Sequence, residues 1–181
     1  MKLIVLFLFL LITSFNYSQD NKKNWLIFSD ELIVTIEVDK TDTYKINDLN
    51  LDVIWDSKLS YSDNIGYYGG IKSLTIYKEN KKLQIINDIE DNIALGFIFF
   101  RFYDYNFDGY LDFTLPINSR WEMYFIYNPQ TNKFDHREDW DYLRIQKIDR
   151  KNKRILSEQD GNYGDNRKIY QIKGIELIEL N

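Results

Sequence analysis

Apolar residues recur at every second position in short runs separated by polar clusters, the pattern of half-buried β-strands. Residues 31–38 place Leu32, Val34, Ile36 and Val38 on one face, and residues 49–55 do the same with Leu49, Leu51, Val53 and Trp55. Residues 72–78 and 82–87 read as a hairpin joined by Glu79-Asn80-Lys81. A long aromatic strand is expected at 97–103, an outgoing strand at 111–115 and another at 121–128. Pro129 then opens a turn by presetting φ, and Phe134 begins the return. Residues 135–141 are charged and expected to be solvated. Residues 142–148 and 154–159 flank a basic turn, and 168–172 and 175–180 form a hairpin around Lys173-Gly174. Residues 88–96 are ambiguous, since Ile89, Ile93 and Leu95 also suit a short helix. Residues 58–70, with Gly66, Gly69 and Gly70 beside Tyr67 and Tyr68, form a loop. It is either a contact surface or a flexible crossover between sheets.

About ten to twelve short strands, with turn signals roughly every eight to twelve residues, predict an all-β fold of antiparallel strands, a sandwich, barrel or propeller-like assembly. No fixed-period repeat and no linker interrupts the chain, so residues 19–181 read as a single domain. Aromatic residues make up 17% of the chain, with 14 Tyr and 12 Phe, which agrees with a β composition.

The first residues have a different character. Met1-Lys2 precede ten apolar residues, 3–12, and then Thr13-Ser14-Phe15-Asn16-Tyr17-Ser18. This is the layout of a secretory signal peptide over residues 1–18, with cleavage expected after Ser18. The apolar run is too short for the roughly 20 residues a membrane span requires. The mature protein is therefore expected in the periplasm or outside the cell, without a membrane anchor. There is no cysteine, hence no disulfide, thiol nucleophile or lipidated cysteine. The formal net charge is −5, and removal of Lys2 makes it one unit more negative. Such a chain argues against nucleic acid and anionic membranes and favours a cationic partner.

The stretch with the most specific chemistry is 102–113, Phe-Tyr-Asp-Tyr-Asn-Phe-Asp-Gly-Tyr-Leu-Asp-Phe. Asp104, Asn106, Asp108 and Asp112 fall at positions 1, 3, 5 and 9 of an EF-hand-type loop, and Gly109 falls at position 6. A hard cation takes six to eight oxygen ligands, and short Asp and Asn side chains on a tight loop supply them. The glycine permits the bend that turns the Tyr110 carbonyl toward the ion. Position 12 is Leu115 rather than Glu, so Asp112 must close the shell with water or a distant oxygen. Aromatic, β-prone flanks place this Ca2+ loop between two strands, not two helices. Asp and Asn also populate ordinary polar turns, the competing reading of the same residues.

Enzyme chemistry finds little support. His136 is the single histidine, lies in a charged segment and reads as a surface residue; no G-x-S-x-G, Walker or dinucleotide glycine motif occurs. The chain is read as a non-enzyme.

The run 102–112, followed by Trp121-Glu122-Met123-Tyr124-Phe125-Ile126-Tyr127-Asn128-Pro129-Gln130-Thr131-Asn132-Lys133-Phe134, resembles a family of exported bacterial β proteins. Ile155-Leu156-Ser157 and a Gly/Asn loop before Tyr170 continue the likeness, which spans roughly residues 97–172. Members with an assigned role are periplasmic immunity proteins that neutralise lysozyme-like effectors of bacterial competition, and they resemble periplasmic lysozyme inhibitors. The resemblance implies a calcium-binding inhibitor, with Asp104, Asn106, Asp108, Tyr110 and Asp112 as the metal site. It also implies a protruding loop that enters the muramidase cleft. That role is placed on Gly161, Asn162, Tyr163, Gly164 and Asp165, with Tyr163 as the plug, against the plain alternative of a hairpin turn. An acidic β protein would be steered toward a cationic lysozyme-like enzyme. The alternative function is a secreted glycan-binding or adhesion module in which calcium is structural.

Overall fold

The computed structural model describes residues 24–158 and 167–180. Within them are sixteen strands, a 3-10 turn at Asp30–Leu32 and no α-helix. The strands form several antiparallel sheets, none closed into a barrel. No helix among the described residues is long and apolar enough to cross a membrane. The expected signal peptide, residues 1–18, lies outside them. The chain divides into two compact units, Ser29–Arg144 and the remainder on either side of it.

In the unit Ser29–Arg144, one sheet contains β2 (Val34–Val38), β9 (Ile98–Tyr103), β10 (Asp112–Pro116), β11 (Glu122–Asn128) and β12 (Lys133–His136) in the order β12-β11-β10-β9-β2. A second contains β3 (Asp42–Ile46), β4 (Leu49–Trp55), β7 (Gly70–Lys78) and β8 (Lys81–Glu90) in the order β3-β4-β7-β8. Between β4 and β7 a small hairpin pairs β5 (Tyr61–Ser62) with β6 (Gly66–Tyr67). Strand alternation decides which side chains meet. Phe102, Phe113 and Phe125 are direct cross-strand partners, and Phe113 stacks on Phe125 at 4.7 Å and tilts against Phe134 at 5.0 Å. Leu51, Val53, Ile71, Leu74 and Ile76 of the second sheet join these rings in one buried cluster. Offset and tilted ring pairs of this kind add about 0.5–1.5 kcal/mol each beyond area burial. The Gln84 carboxamide on β8 reaches Phe134 on β12: its Nε2 donates to the Phe134 carbonyl (3.0 Å) and its Oε1 accepts the Phe134 N–H (2.8 Å).

Several expectations are corrected here. Residues 88–96 form no helix: β8 continues to Glu90. The buried Asp91 carboxylate then accepts the N–H groups of Ile93, Leu95 and Gly96, closing a turn with its own side chain. Within the charged run 135–141, Trp140 is fully buried, and the Asp141 carboxylate accepts the Tyr124 N–H at 3.1 Å. The strand expected from residue 31 starts at Val34, after the 3-10 turn. The strand expected from residue 142 starts at Ile145.

The other unit is one sheet in the order β1-β13-β14-β15-β16: β1 (Leu26–Ile27), β13 (Ile145–Asp149), β14 (Arg154–Glu158), β15 (Arg167–Lys173) and β16 (Glu176–Leu180). Ile148, Ile155 and Tyr170 are cross-strand neighbours on its buried face. The turn between β13 and β14 is built on Asp149, whose buried carboxylate accepts the Asn152 N–H (3.0 Å), the Asn152 side-chain amide (2.7 Å) and the Arg154 guanidinium (2.6 Å). On the opposite face Lys147, Leu156 and Ile169 stand in register and, with Trp25, line a cavity of about 360 Å3.

Candidate metal centre

The loop between β9 and β10 buries Tyr103, Tyr105, Asn106 and Phe107, and leaves Asp104 and Asp108 half-buried. The Tyr105 ring is wedged edge-on between Tyr103 (5.4 Å) and Tyr124 (5.1 Å). Its burial raises the phenol pKa far above the ordinary value, so it stays protonated. The polar side chains fold the loop around themselves. The Asp104 carboxylate accepts the Asp108 N–H (2.9 Å) and the Gly109 N–H (3.1 Å). The Asn106 Oδ1 also accepts the Asp108 N–H (3.1 Å), and the Asn106 amide donates to Asp108 (2.9 Å). Asp108 Oδ1 accepts the Tyr110 N–H at 2.9 Å. Phe107 (φ 57°) and Gly109 (φ 91°) take left-handed conformations that complete the bend.

Asp112, the first residue of β10, is completely buried. One of its oxygens accepts the Tyr105 N–H and the other the Tyr127 N–H, both at 2.8 Å. Burial pushes its pKa well up; the two backbone N–H groups oppose that shift, and the negative charges of Asp108 and Asp104 reinforce it. Three carboxylates and a carboxamide thus share a nine-residue bend, and the charges of Asp108 and Asp104 add to the cost of ionising the buried Asp112. Among the described residues no group of three or more His, Cys, Asp or Glu side chains converges on a metal position. A donor set drawn from this bend would be mixed, with the Asn106 carboxamide and the Tyr110 carbonyl beside the aspartates. An all-oxygen set of this kind fits a hard divalent cation and not zinc.

The second sheet grips the far side of the loop. Tyr110 and Tyr127 pack at a tilt of 44° with centroids 5.1 Å apart, and the Lys78 ammonium lies 5.4 Å and 5.2 Å from the two rings. Lys78 also pairs with Asp48 at 3.2 Å. Burial disfavours its charge, but Asp48 outweighs that and holds the lysine pKa above the ordinary value. These residues, with Leu49, Leu111 and Phe134, enclose about 20 Å3, room for about one water.

Asp104, Asn106, Asp108, Tyr110 and Asp112 thus occupy one loop. Tyr163, Asn162, Gly161 and Gly164, the expected partner loop, lie outside the described residues. His136 sits at the sheet edge, its ring 5.1 Å from Phe125 and its Nε2 2.8 Å from Asp141. Lys78, Asp48 and Tyr127 carry no sequence signal for this role, because a lysine ending a strand and an aspartate in a turn are unremarkable until the sheets are stacked.

The fold and this loop define a class: an all-β protein of antiparallel sheets with an aspartate-rich bend between two adjacent strands. Compared with family models, curated protein sequences and solved structures, the chain has no match.

Proposed function

We propose that this chain is an exported calcium-binding β protein that binds and inhibits a lysozyme-like cell-wall hydrolase. The observation that carries the metal part is the bend 104–112, in which Asp104 and Asp108 accept the loop's own N–H groups while a third carboxylate, Asp112, is buried beside them. In this reading Asp104, Asn106, Asp108 and Asp112 hold the ion with the Tyr110 carbonyl. The ion's contribution is electrostatic: it offsets the repulsion among the carboxylates and fixes the exit of β10 from the loop. The family resemblance of residues 97–172 and the acidic charge support the partner part, since many lysozymes are cationic and opposite charge speeds encounter.

Two experiments test it. Calcium should raise the melting temperature of the wild type, and Asp104→Ala or Asp108→Ala should remove that rise. A titration with neither heat nor thermal shift discards the metal. Purified protein should inhibit at least one member of a panel of c-type, g-type, i-type and phage-type lysozymes acting on purified peptidoglycan. Full muramidase activity across the panel rejects the inhibitor reading.

The cavity lined by Trp25, Lys147, Leu156 and Ile169 favours the second reading, a glycan-binding module, because an indole and an ammonium lining one cavity suit a sugar ring carrying an acidic group. Glycan-array binding lost in Trp25→Ala, without any lysozyme inhibition, would select it.

A further inference from the structure

The hairpin β5–β6 displays three large apolar side chains that the fold leaves uncovered: Tyr61 is 58%, Ile65 61% and Tyr67 60% exposed. Tyr61 and Tyr67 face each other across the hairpin, with rings 5.0 Å apart and tilted by 59°. The tip is closed by the Ile65 N–H donating to the Ser62 carbonyl at 3.2 Å.

This segment is tied down at its base. At its base the Tyr68 N–H donates to the Ser60 carbonyl (3.1 Å), and the buried Ser60 hydroxyl accepts the Asp91 N–H (3.1 Å). Gly69, at φ 90°, lies flat on the Trp55 indole, where a Cβ would come within 2.6 Å of the ring. Gly70 is held between Leu59 and the Ile89 carbonyl, and its own carbonyl accepts the Asp56 N–H at 2.9 Å. The ordering cost of the loop is thus met within the free protein, which favours binding by a preformed element.

The shape selects the kind of partner. The two rings are tilted by 59° to each other, so they offer no flat platform for a sugar. Asp63, at the tip, is the only charged residue from 59 to 70. A projecting Tyr-Ile-Tyr cluster with one acidic residue suits a concave apolar cleft with a cationic rim. Tyrosines at the centre of such contacts are frequent binding hot spots.

We infer that the β5–β6 hairpin is the element that enters the cleft of the protein partner, Tyr61 and Tyr67 filling its apolar walls and Asp63 facing its basic rim. The inference rests on the proposed inhibition of a lysozyme-like hydrolase and names the surface that performs it.

The test uses full-length protein and whichever lysozyme of the panel the wild type inhibits. The double variant Tyr61→Ala/Tyr67→Ala should raise the inhibition constant about 30-fold or more, the scale of a lost hot spot. The Tyr61→Phe/Tyr67→Phe variant should stay within about 3-fold, and Asp63→Lys should slow association. Because these side chains are exposed, melting temperature and calcium response should not change. If the double alanine variant unfolds, Ile65→Asp, which alters only the exposed tip, takes its place with the same expected loss. Wild-type inhibition that survives both variants overturns the hairpin assignment alone. A wild type that inhibits no lysozyme overturns the hairpin assignment together with the function beneath it.

Discussion

Lys78 ties the second sheet to the aspartate-rich bend, and its charge and its position act in opposite senses. By charge alone, replacing it would tighten cation binding, because a positive group beside Tyr110 of the bend would be gone. As a clamp over Tyr110 and Tyr127 it holds the backbone whose carbonyl is assigned to the ion, so replacing it should weaken binding. Cation–π contacts contribute about 0.5–1 kcal/mol each. Lys78→Met is therefore expected to lose calcium affinity by about fivefold, measured by calorimetry; tighter binding would mean that charge dominates. Asp149 offers a test that involves no metal. Burial opposes its ionisation, but the Asn152 side chain, the Arg154 guanidinium and the Asn152 N–H outweigh that and hold its pKa below the ordinary carboxylate value. A depressed native pKa gives stability that is present above the unfolded pKa of about 3.9 and is lost as pH falls through the native value. Asp149→Asn should thus destabilise by about 1–3 kcal/mol at pH 7. In denaturant titrations the gap to the wild type should close below about pH 4.

At the scale of elements, two left-handed glycines differ in a way that separates backbone strain from steric conflict. Gly109 has nothing within 4 Å of a Cβ, so Gly109→Ala meets only the strain of φ 91°, about 1–2 kcal/mol. Gly69 has a similar φ, but its Cβ would press into the Trp55 ring at 2.6 Å, so Gly69→Ala should be clearly more destabilising. It should also disorder the β5–β6 hairpin, whose base that contact anchors. Chemical denaturation of the two variants checks the order. Strands with clean alternation were legible in the chain: β2, β4, β9 and β11 all fall within or beside the expected runs. β3 was not, because Asp42-Thr43-Tyr44-Lys45 is polar and only Ile46 of the strand is buried. Trp140 was hidden for the same reason, since neighbouring charges mask one buried indole. The turn on Asp91 was hidden because a side chain that satisfies its own backbone leaves no periodic signal.

Across the whole molecule, the all-β class followed from periodicity, while the division into two units depends on Lys147 and Ile148 of β13 pairing back to Leu26–Ile27, a distant contact that no local pattern announces. The bend was legible because its side chains bond to their own loop; the grip on it was not, because Lys78 and Asp48 come from another sheet. If the ion is held as proposed, linkage fixes the size of its effect: tenfold excess over the dissociation constant adds about 1.4 kcal/mol. The melting temperature should rise by several degrees, roughly 2–8 °C for domains of this size. Gln84 has a consequence of its own. β12 and β8 are both terminal strands of their sheets, and an open strand border is a template on which another chain can polymerise. By occupying the Phe134 N–H and carbonyl with one side-chain amide, the protein blocks that border at its centre, a safeguard against fibril growth made from a single glutamine.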